Sequence, residues 1–176
     1  MYEYGWIMSA VKSLSNKELA PDKMPLWERL LNNYDINIIF LSIFDIFGQI
    51  PHIIFELTEG DGWVPVYADR ISFIFIKKTE QNKEIIEKAK LSREVVYNTV
   101  IMAGVSRAIR NKGNFVYLVS IGETFYKMGR LNDALTAYRY AIKRLPSPQT
   151  QDRINQIENE IRNMEEKRTK RIKKTG

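Results

Sequence analysis

The spacing of apolar and polar residues changes near residue 80. Before that point, apolar residues at helical spacing in 25–34 precede a β-branched and aromatic run at 36–44, which is typical of a central strand. A short helix that ends in a glycine-rich turn comes next, and two strands at 63–67 and 71–77 form a hairpin. This order predicts a small sheet with helices packed against it.

After residue 80 the spacing is helical throughout. The segment 92–111 opens with Ser92, a residue type that caps helix N-termini. A final helix from residue 149 carries one apolar stripe, formed by Ile154, Ile157, Ile161 and Met164. The predicted fold class is therefore α+β, with a small α/β domain and a short sheet at 1–79 and an all-α helical module at 80–176.

Two helices joined at Gly129 carry small, apolar and aromatic residues at regular positions between 115 and 148. These positions are Leu118, Ile121, Gly122, Phe125, Ala134, Tyr138, Ala141 and Pro146. The segment resembles a tetratricopeptide repeat, a helical hairpin of about 34 residues. Leu118 and Ile121 depart from the commonest signature residues, tryptophan and leucine. Small residues let the two helices approach closely, the aromatic rings fill the space between them, and Pro146 stops the second helix.

A single repeat cannot bury both of its faces, so neighbouring helices must cover it. We assign this role to the helix at 92–111 and to a capping helix at 149–168, which leads into a basic tail at 167–176. One period before the repeat, the signature positions hold residues that do not fit, so any earlier repeat is degenerate. The prediction is a short, capped helical module.

The resemblance implies that a protein or peptide partner binds on the concave face, which the first helix of a repeat lines. The residues expected to be exposed there, called the predicted groove below, are Val116, Val119, Ser120, Glu123, Tyr126 and Lys127. Substituting Glu123, Tyr126 and Lys127 is expected to weaken partner binding without much effect on the melting temperature. A purely structural role for the repeat stays open.

The first half of the chain carries a second resemblance, through Trp27, Tyr34, the segment 38–41, and the hairpin from Trp63 to residue 77. It is similar to the soluble extracytoplasmic domain of polytopic glycosyltransferase-like membrane proteins of the oligosaccharyltransferase and protein mannosyltransferase-like superfamily. The resemblance implies a non-catalytic, extracytoplasmic interaction domain of a longer membrane protein. A free cytoplasmic adapter with a tetratricopeptide repeat is the alternative, and an independent carbohydrate-active enzyme is the least favoured.

Composition limits the chemistry that the chain can support. There are no cysteines, which excludes disulfides and thiolate chemistry. The single histidine, His52, is four residues from Glu56 but lacks a third metal ligand in any recognisable motif. No phosphate loop, dinucleotide fingerprint or nucleophile elbow occurs. We therefore predict no catalytic residues, no metal and no cofactor.

The net charge of +6 is concentrated at the end of the chain. The last ten residues include six lysines and arginines and no acidic residue: Lys167, Arg168, Lys170, Arg171, Lys173 and Lys174. Such a tail suits an anionic membrane surface, but the favoured interpretation is that basic residues at a helix C-terminus complement the helix dipole and aid solubility. Nucleic acid is disfavoured because no aromatic residues alternate with the basic ones. The oligomeric state is left open.

Overall fold

The computed structural model describes residues 25–175 and divides into two compact units. The sheet unit comprises the described residues up to Ile43 together with Pro51–Val96, and the helical unit comprises Phe44–Ile50 and the chain from Tyr97 onwards. The division along the chain thus falls after Val96 rather than near residue 80, and seven residues from the first half belong to the helical unit. Residues 1–24 of the predicted α/β domain lie outside the description.

Within residues 25–175, the sheet contains three antiparallel strands: β1 (Ile38–Ser42), β2 (Trp63–Ala68) and β3 (Ser72–Lys77). Their order is β1-β3-β2, so β3 is the central strand and β1 lies at an edge. The prediction of a central strand at 36–44 is therefore wrong. Side chains of β1 alternate between exposed and buried, and Ile38 and Phe40 are among the exposed ones. Apolar residues on both faces gave the run the composition of a two-sided strand, although only one face is buried.

The hairpin between β2 and β3 is held by the side chain of Asp69. Its Oδ1 accepts hydrogen bonds from the backbone N–H groups of Ile71 and Ser72, both at 2.7 Å. These bonds lower the pKa of the Asp69 carboxyl below its ordinary value. The hydroxyl of Tyr67 donates to Oδ2 of Asp69 at 3.0 Å. The turn predicted near 68–70 therefore forms through a short polar side chain that satisfies the backbone donors.

Among the described residues, the sheet unit also contains helices α1 (Leu26–Asn33), α2 (Ile53–Glu59) and α3 (Lys83–Ala89) and a 3₁₀ turn at Glu80–Asn82. The core is formed by buried apolar side chains from α1, α2 and the sheet: Trp27, Leu31, Ile39, Leu41, Ile54, Phe55, Leu57, Phe73 and Phe75. The α1 helix follows Pro25, and α2 ends just before Gly60. Both boundaries agree with the signals that proline and glycine provide.

The helical unit is built from α4 (Arg93–Arg110, which enters the unit at Tyr97), α5 (Val116–Lys127), α6 (Leu131–Arg144) and α7 (Pro148–Thr175). The Ser92 hydroxyl accepts a 3.3 Å hydrogen bond from the N–H of Val95, which confirms the predicted cap. The last helix extends well beyond the predicted end at residue 168, through the basic residues to Thr175. No proline or glycine interrupts it before that point. With three strands and seven α-helices in the described residues, the α+β fold class is confirmed.

Helices α5 and α6 form a tightly packed hairpin. A Cβ atom added at Gly122 would lie 3.0 Å from the ring of Tyr138, so only glycine fits without displacing the ring. Gly129, with φ of +72°, forms the turn between the helices, where a positive φ favours glycine. Ala134 and Ala141 are buried at the contact. The close approach expected from the small residues is therefore present.

Helix α7 covers the hairpin from the other side. Its Ile154 and Ile157 are buried in one cluster with Ala134, Leu135 and Tyr138. The predicted stripe is shorter than expected, because Met164 is exposed. Helix α7 nevertheless buries one apolar face of the α5–α6 hairpin, as a single pair of helices requires.

Candidate functional site

The predicted groove on α5 is covered at Ser120. The prediction that this residue is exposed is wrong. The side chain is only 4% exposed. Its hydroxyl donates to the carbonyl of Gly48 and accepts from the N–H of Ile50, both at 3.2 Å. The segment Phe44–Ile50 therefore occupies this part of α5, a contact between residues about 70 positions apart in the sequence.

The covering segment is itself held in a defined conformation. Oδ1 of Asp45 accepts hydrogen bonds from the N–H groups of Phe47 and Gln49, each at 2.9 Å. The Asn114 amide donates to the carbonyl of Phe47 at 3.1 Å. Ile46, at the tip, is 93% exposed. Hydrogen bonds to Asp45 and Asn114 thus hold the backbone of the turn on either side of an apolar tip that faces solvent.

Glu123, another residue of the predicted groove, is bound by α7. Its two carboxylate oxygens accept hydrogen bonds from Nη2 of Arg153 at 2.6 and 2.7 Å. The Tyr138 hydroxyl donates to the same carboxylate at 2.7 Å. Burial, followed by the charge of Glu123, raises the pKa of Tyr138 well above its ordinary value. The carboxylate therefore connects three helices of the unit.

Tyr126 is engaged by the same helix. Its hydroxyl donates to Oε1 of Glu160 at 2.8 Å and accepts from the Gln156 amide at 3.1 Å. The guanidinium of Arg153 lies 4.2 Å from the centre of its ring, within the range of a cation–π contact. Burial, followed by the bond to Glu160, raises the pKa of Tyr126. The hydroxyl of Tyr126, which a partner was expected to contact, is therefore already hydrogen-bonded to α7.

The other groove residues are less enclosed. Val119 packs against the buried cluster beneath α7, and Val116 and Lys127 are half-buried. The six predicted residues lie on one helix, where Ser120 is covered by Phe44–Ile50 and the polar groups of Glu123 and Tyr126 are bonded to α7.

An open cavity lies on a different side of the helical unit. It has a volume of about 410 Å³ and is lined by residues of α4, α5 and α6 and of the α4–α5 connection. We call it the α4–α6 cavity, and its lining residues are Val105, Ala108, Ile109, Lys112, Asn114, Phe115, Leu118, Tyr140 and Arg144. Leu118 was predicted as a packing residue of the repeat, and the rest of the lining was not predicted.

The rim of the α4–α6 cavity is apolar and exposed. Met102, Val105 and Ile109 fall at positions i, i+3 and i+7 of α4, which places them on one face of that helix. All three are exposed, as is Tyr140 on α6. The helical spacing of these apolar residues on α4 is the sequence signal that could have pointed to this surface.

The described residues that line the α4–α6 cavity carry charge of a single sign. Lys112 and Arg144 are among them, and no carboxylate is. The Asn114 amide is already bonded to Phe47 and to the N–H of Val116. Within residues 25–172, whose side chains are described, neither Lys112 nor Arg144 forms an ion pair. The cavity therefore combines an apolar wall with two cations available to a ligand.

The His52–Glu56 pair is a surface contact. Nδ1 of His52 lies 3.3 Å from an Oε1 of Glu56, on the exposed side of α2. Over the part of the chain that is described, no three histidine or acidic side chains group closely enough to hold a metal ion. Among the described helices, none has the length and apolar character needed to cross a membrane.

Comparison with known proteins gives no match. No family model, no curated protein and no solved structure matches this chain. The relationships to tetratricopeptide repeats and to the glycosyltransferase-like proteins therefore stay predictions, and the geometry of the site alone guides the functional proposal.

Proposed function

We propose that this chain is a non-catalytic protein-interaction module that binds a peptide segment of a partner protein in the α4–α6 cavity. The observation that carries the proposal is an open, largely apolar cavity beside an exposed apolar helix stripe. Its volume of about 410 Å³ is within the range of about 300–1,000 Å³ found for binding pockets.

The energetic basis is the burial of apolar surface that now faces water. Ile109 and Tyr140 line the cavity and are 66% and 60% exposed, so both side chains present apolar surface to water there. Burying an aliphatic or aromatic side chain completely contributes about 1.5–3 kcal/mol. A peptide with one or two apolar anchors therefore gains enough from these contacts for weak to moderate affinity, once the cost of ordering it is offset.

The proposal moves the binding surface away from the predicted groove. Glu123 and Tyr126 are bonded to α7, and Ser120 is bonded to Phe44–Ile50. A partner would have to displace these contacts to use the concave face, whereas the α4–α6 cavity needs no rearrangement.

Selection from a phage-displayed random-peptide library tests the proposal. Selected peptides would be synthesised and titrated by fluorescence anisotropy against the wild type and against Ile109→Ser/Tyr140→Ser. We expect the double variant to bind at least about tenfold more weakly, since it removes two apolar contacts. Met164→Ser is the matched control, because it removes an exposed apolar side chain elsewhere on the unit. Equal binding by all three proteins, or failure to select any peptide, would refute the proposal.

We further propose an extracytoplasmic location, within a longer glycosyltransferase-like membrane protein. The resemblance in the first half of the chain supports it. An immunoblot of fractionated native cells tests it, because a band well above 20.6 kDa in the membrane pellet is expected. A band of 20.6 kDa in the soluble fraction would favour the free adapter instead.

A further inference from the structure

We infer that the peptide bound by the α4–α6 cavity is acidic, with an apolar anchor in the cavity and carboxylates that pair with Lys112 and Arg144. The inference rests on the proposed function and names the chemical class of its ligand. It follows from the charge of the cavity, from the sequence around it, and from the shape of the site.

The charge around the cavity is basic well beyond its lining. Residues 95–122, which include most of α4 and the start of α5, contain three basic residues and no acidic one: Arg107, Arg110 and Lys112. Residues 134–151 contain three more basic residues and no acidic one: Arg139, Lys143 and Arg144. Of these, Arg139 is paired with Glu158. The segments that supply most of the cavity lining therefore carry net positive charge and no carboxylate that would repel an acidic peptide.

The acidic groups of neighbouring segments do not neutralise Lys112 and Arg144. Asp45 is the acidic residue of the segment Phe44–Ile50, and its Oδ1 is used by the backbone of that segment. Glu123 lies further along α5 and is bound to Arg153. The cations at the cavity therefore keep their capacity for a ligand carboxylate, and the planar guanidinium of Arg144 suits a bidentate contact.

The shape of the site favours a peptide over a lipid surface of the same charge. A bilayer contact requires apolar side chains that project outward from a convex surface into the acyl region. Ala108, Phe115 and Leu118 instead line a concavity, which admits a protruding side chain of a partner. The exposed stripe of Met102, Val105 and Ile109 continues the apolar contact along α4, as a bound peptide of several residues requires.

The experiment compares the residues selected by two proteins from one random-peptide library. The wild type is expected to enrich Asp and Glu beside an aliphatic or aromatic residue. The charge-reversed variant Lys112→Glu/Arg144→Glu is expected to lose this preference and enrich Lys and Arg. For a synthesised wild-type peptide, Lys112→Gln/Arg144→Gln should weaken binding about tenfold, and replacing the peptide's acidic residues with their amides should do the same.

Arg162→Gln/Lys167→Gln is the matched control, since it removes two exposed cations from α7 and should leave the affinity unchanged. Circular dichroism spectra that coincide with the wild type establish that the variants fold. Peptides that depend on Ile109 and Tyr140 but show no acidic preference would overturn the inference and leave the proposed function standing. Sedimentation with phosphatidylserine vesicles that requires Lys112 and Arg144, in the absence of any selected peptide, would overturn both in favour of a lipid surface.

Discussion

The contact between Glu123 and Arg153 decides whether the predicted groove on α5 is open to a partner or held against α7. We predict that Glu123→Gln destabilises the protein, although the sequence alone predicts a nearly neutral change in stability. The replacement keeps the shape of the side chain and removes the charge that Arg153 and the Tyr138 hydroxyl both contact.

The magnitude follows from the geometry and burial of the pair. The side chains of Glu123 and Arg153 are 24% and 27% exposed, so the pair lies between a surface ion pair and a buried one. Exposed pairs contribute about 0.2–1 kcal/mol, and breaking a buried pair costs about 3–5 kcal/mol. Two contacts of 2.6 and 2.7 Å to one guanidinium nitrogen place the expected loss at about 2 kcal/mol.

The assay is urea unfolding followed by circular dichroism, with a double-mutant cycle of Glu123→Gln and Arg153→Met. The matched control is Arg139→Gln, which breaks the more exposed Arg139–Glu158 pair between α6 and α7 and should cost less than about 1 kcal/mol. A coupling energy for Glu123 and Arg153 below about 0.5 kcal/mol would refute the reasoning. It would mean that the Glu123–Arg153 pair does not stabilise the packing of α7 on the predicted groove.

Three further predictions concern packing, pH and the covering segment. Gly122→Ala should destabilise the protein by about 1 kcal/mol or more, because the new methyl meets the buried and hydrogen-bonded Tyr138 ring and the gain in helix propensity does not compensate. Gly62→Ala, which meets no atom within 4 Å, should change the free energy of unfolding by less than about 0.5 kcal/mol, and equal effects of the two would contradict the packing argument. The raised pKa of Tyr138 contributes stability that is fully present below pH 10.0 and is lost as the pH rises towards the folded pKa, so stability should fall by up to about 1.4 kcal/mol per pH unit above pH 10.0. Tyr138→Phe should reduce this dependence of the unfolding free energy on pH, measured by urea titrations. An unchanged dependence would show that the pKa of Tyr138 is not raised by folding. Ser120→Ala removes the acceptor of the Ile50 N–H, so hydrogen exchange at that amide should accelerate about tenfold, and unchanged exchange would contradict the assigned contact.

Local spacing predicted most of the helices and strands. Gly122 and Tyr138 lie on adjacent helices of one hairpin, and small and aromatic residues at these positions indicate close packing before any coordinates exist. Ser92 and Gly129 mark a helix start and a turn through their own hydrogen bonding and backbone conformation. Such signals act over a few residues, which is why they can be recognised in the sequence.

The position of β1 in the sheet could not be predicted in the same way. Ile38 and Phe40 are apolar but exposed, so composition alone indicated a strand buried on both faces. Strand order depends on which backbones pair, and the pairing of Ile39 with Phe75 joins segments far apart in the chain. The spacing of hydrophobic residues does not determine which strands pair.

The same distinction applies to the candidate site. By itself, the sequence determined the fold class, the helical hairpin and the basic character of the chain, because residue type and spacing govern secondary structure and charge. Only the tertiary structure decided that Ser120 is covered by Phe44–Ile50 and that Glu123 is bound by Arg153. It also decided that Ile109 and Arg144, on different helices, line one cavity. Each of these depends on contacts between residues distant in sequence, which are selected by the packing of the whole unit rather than by any local pattern.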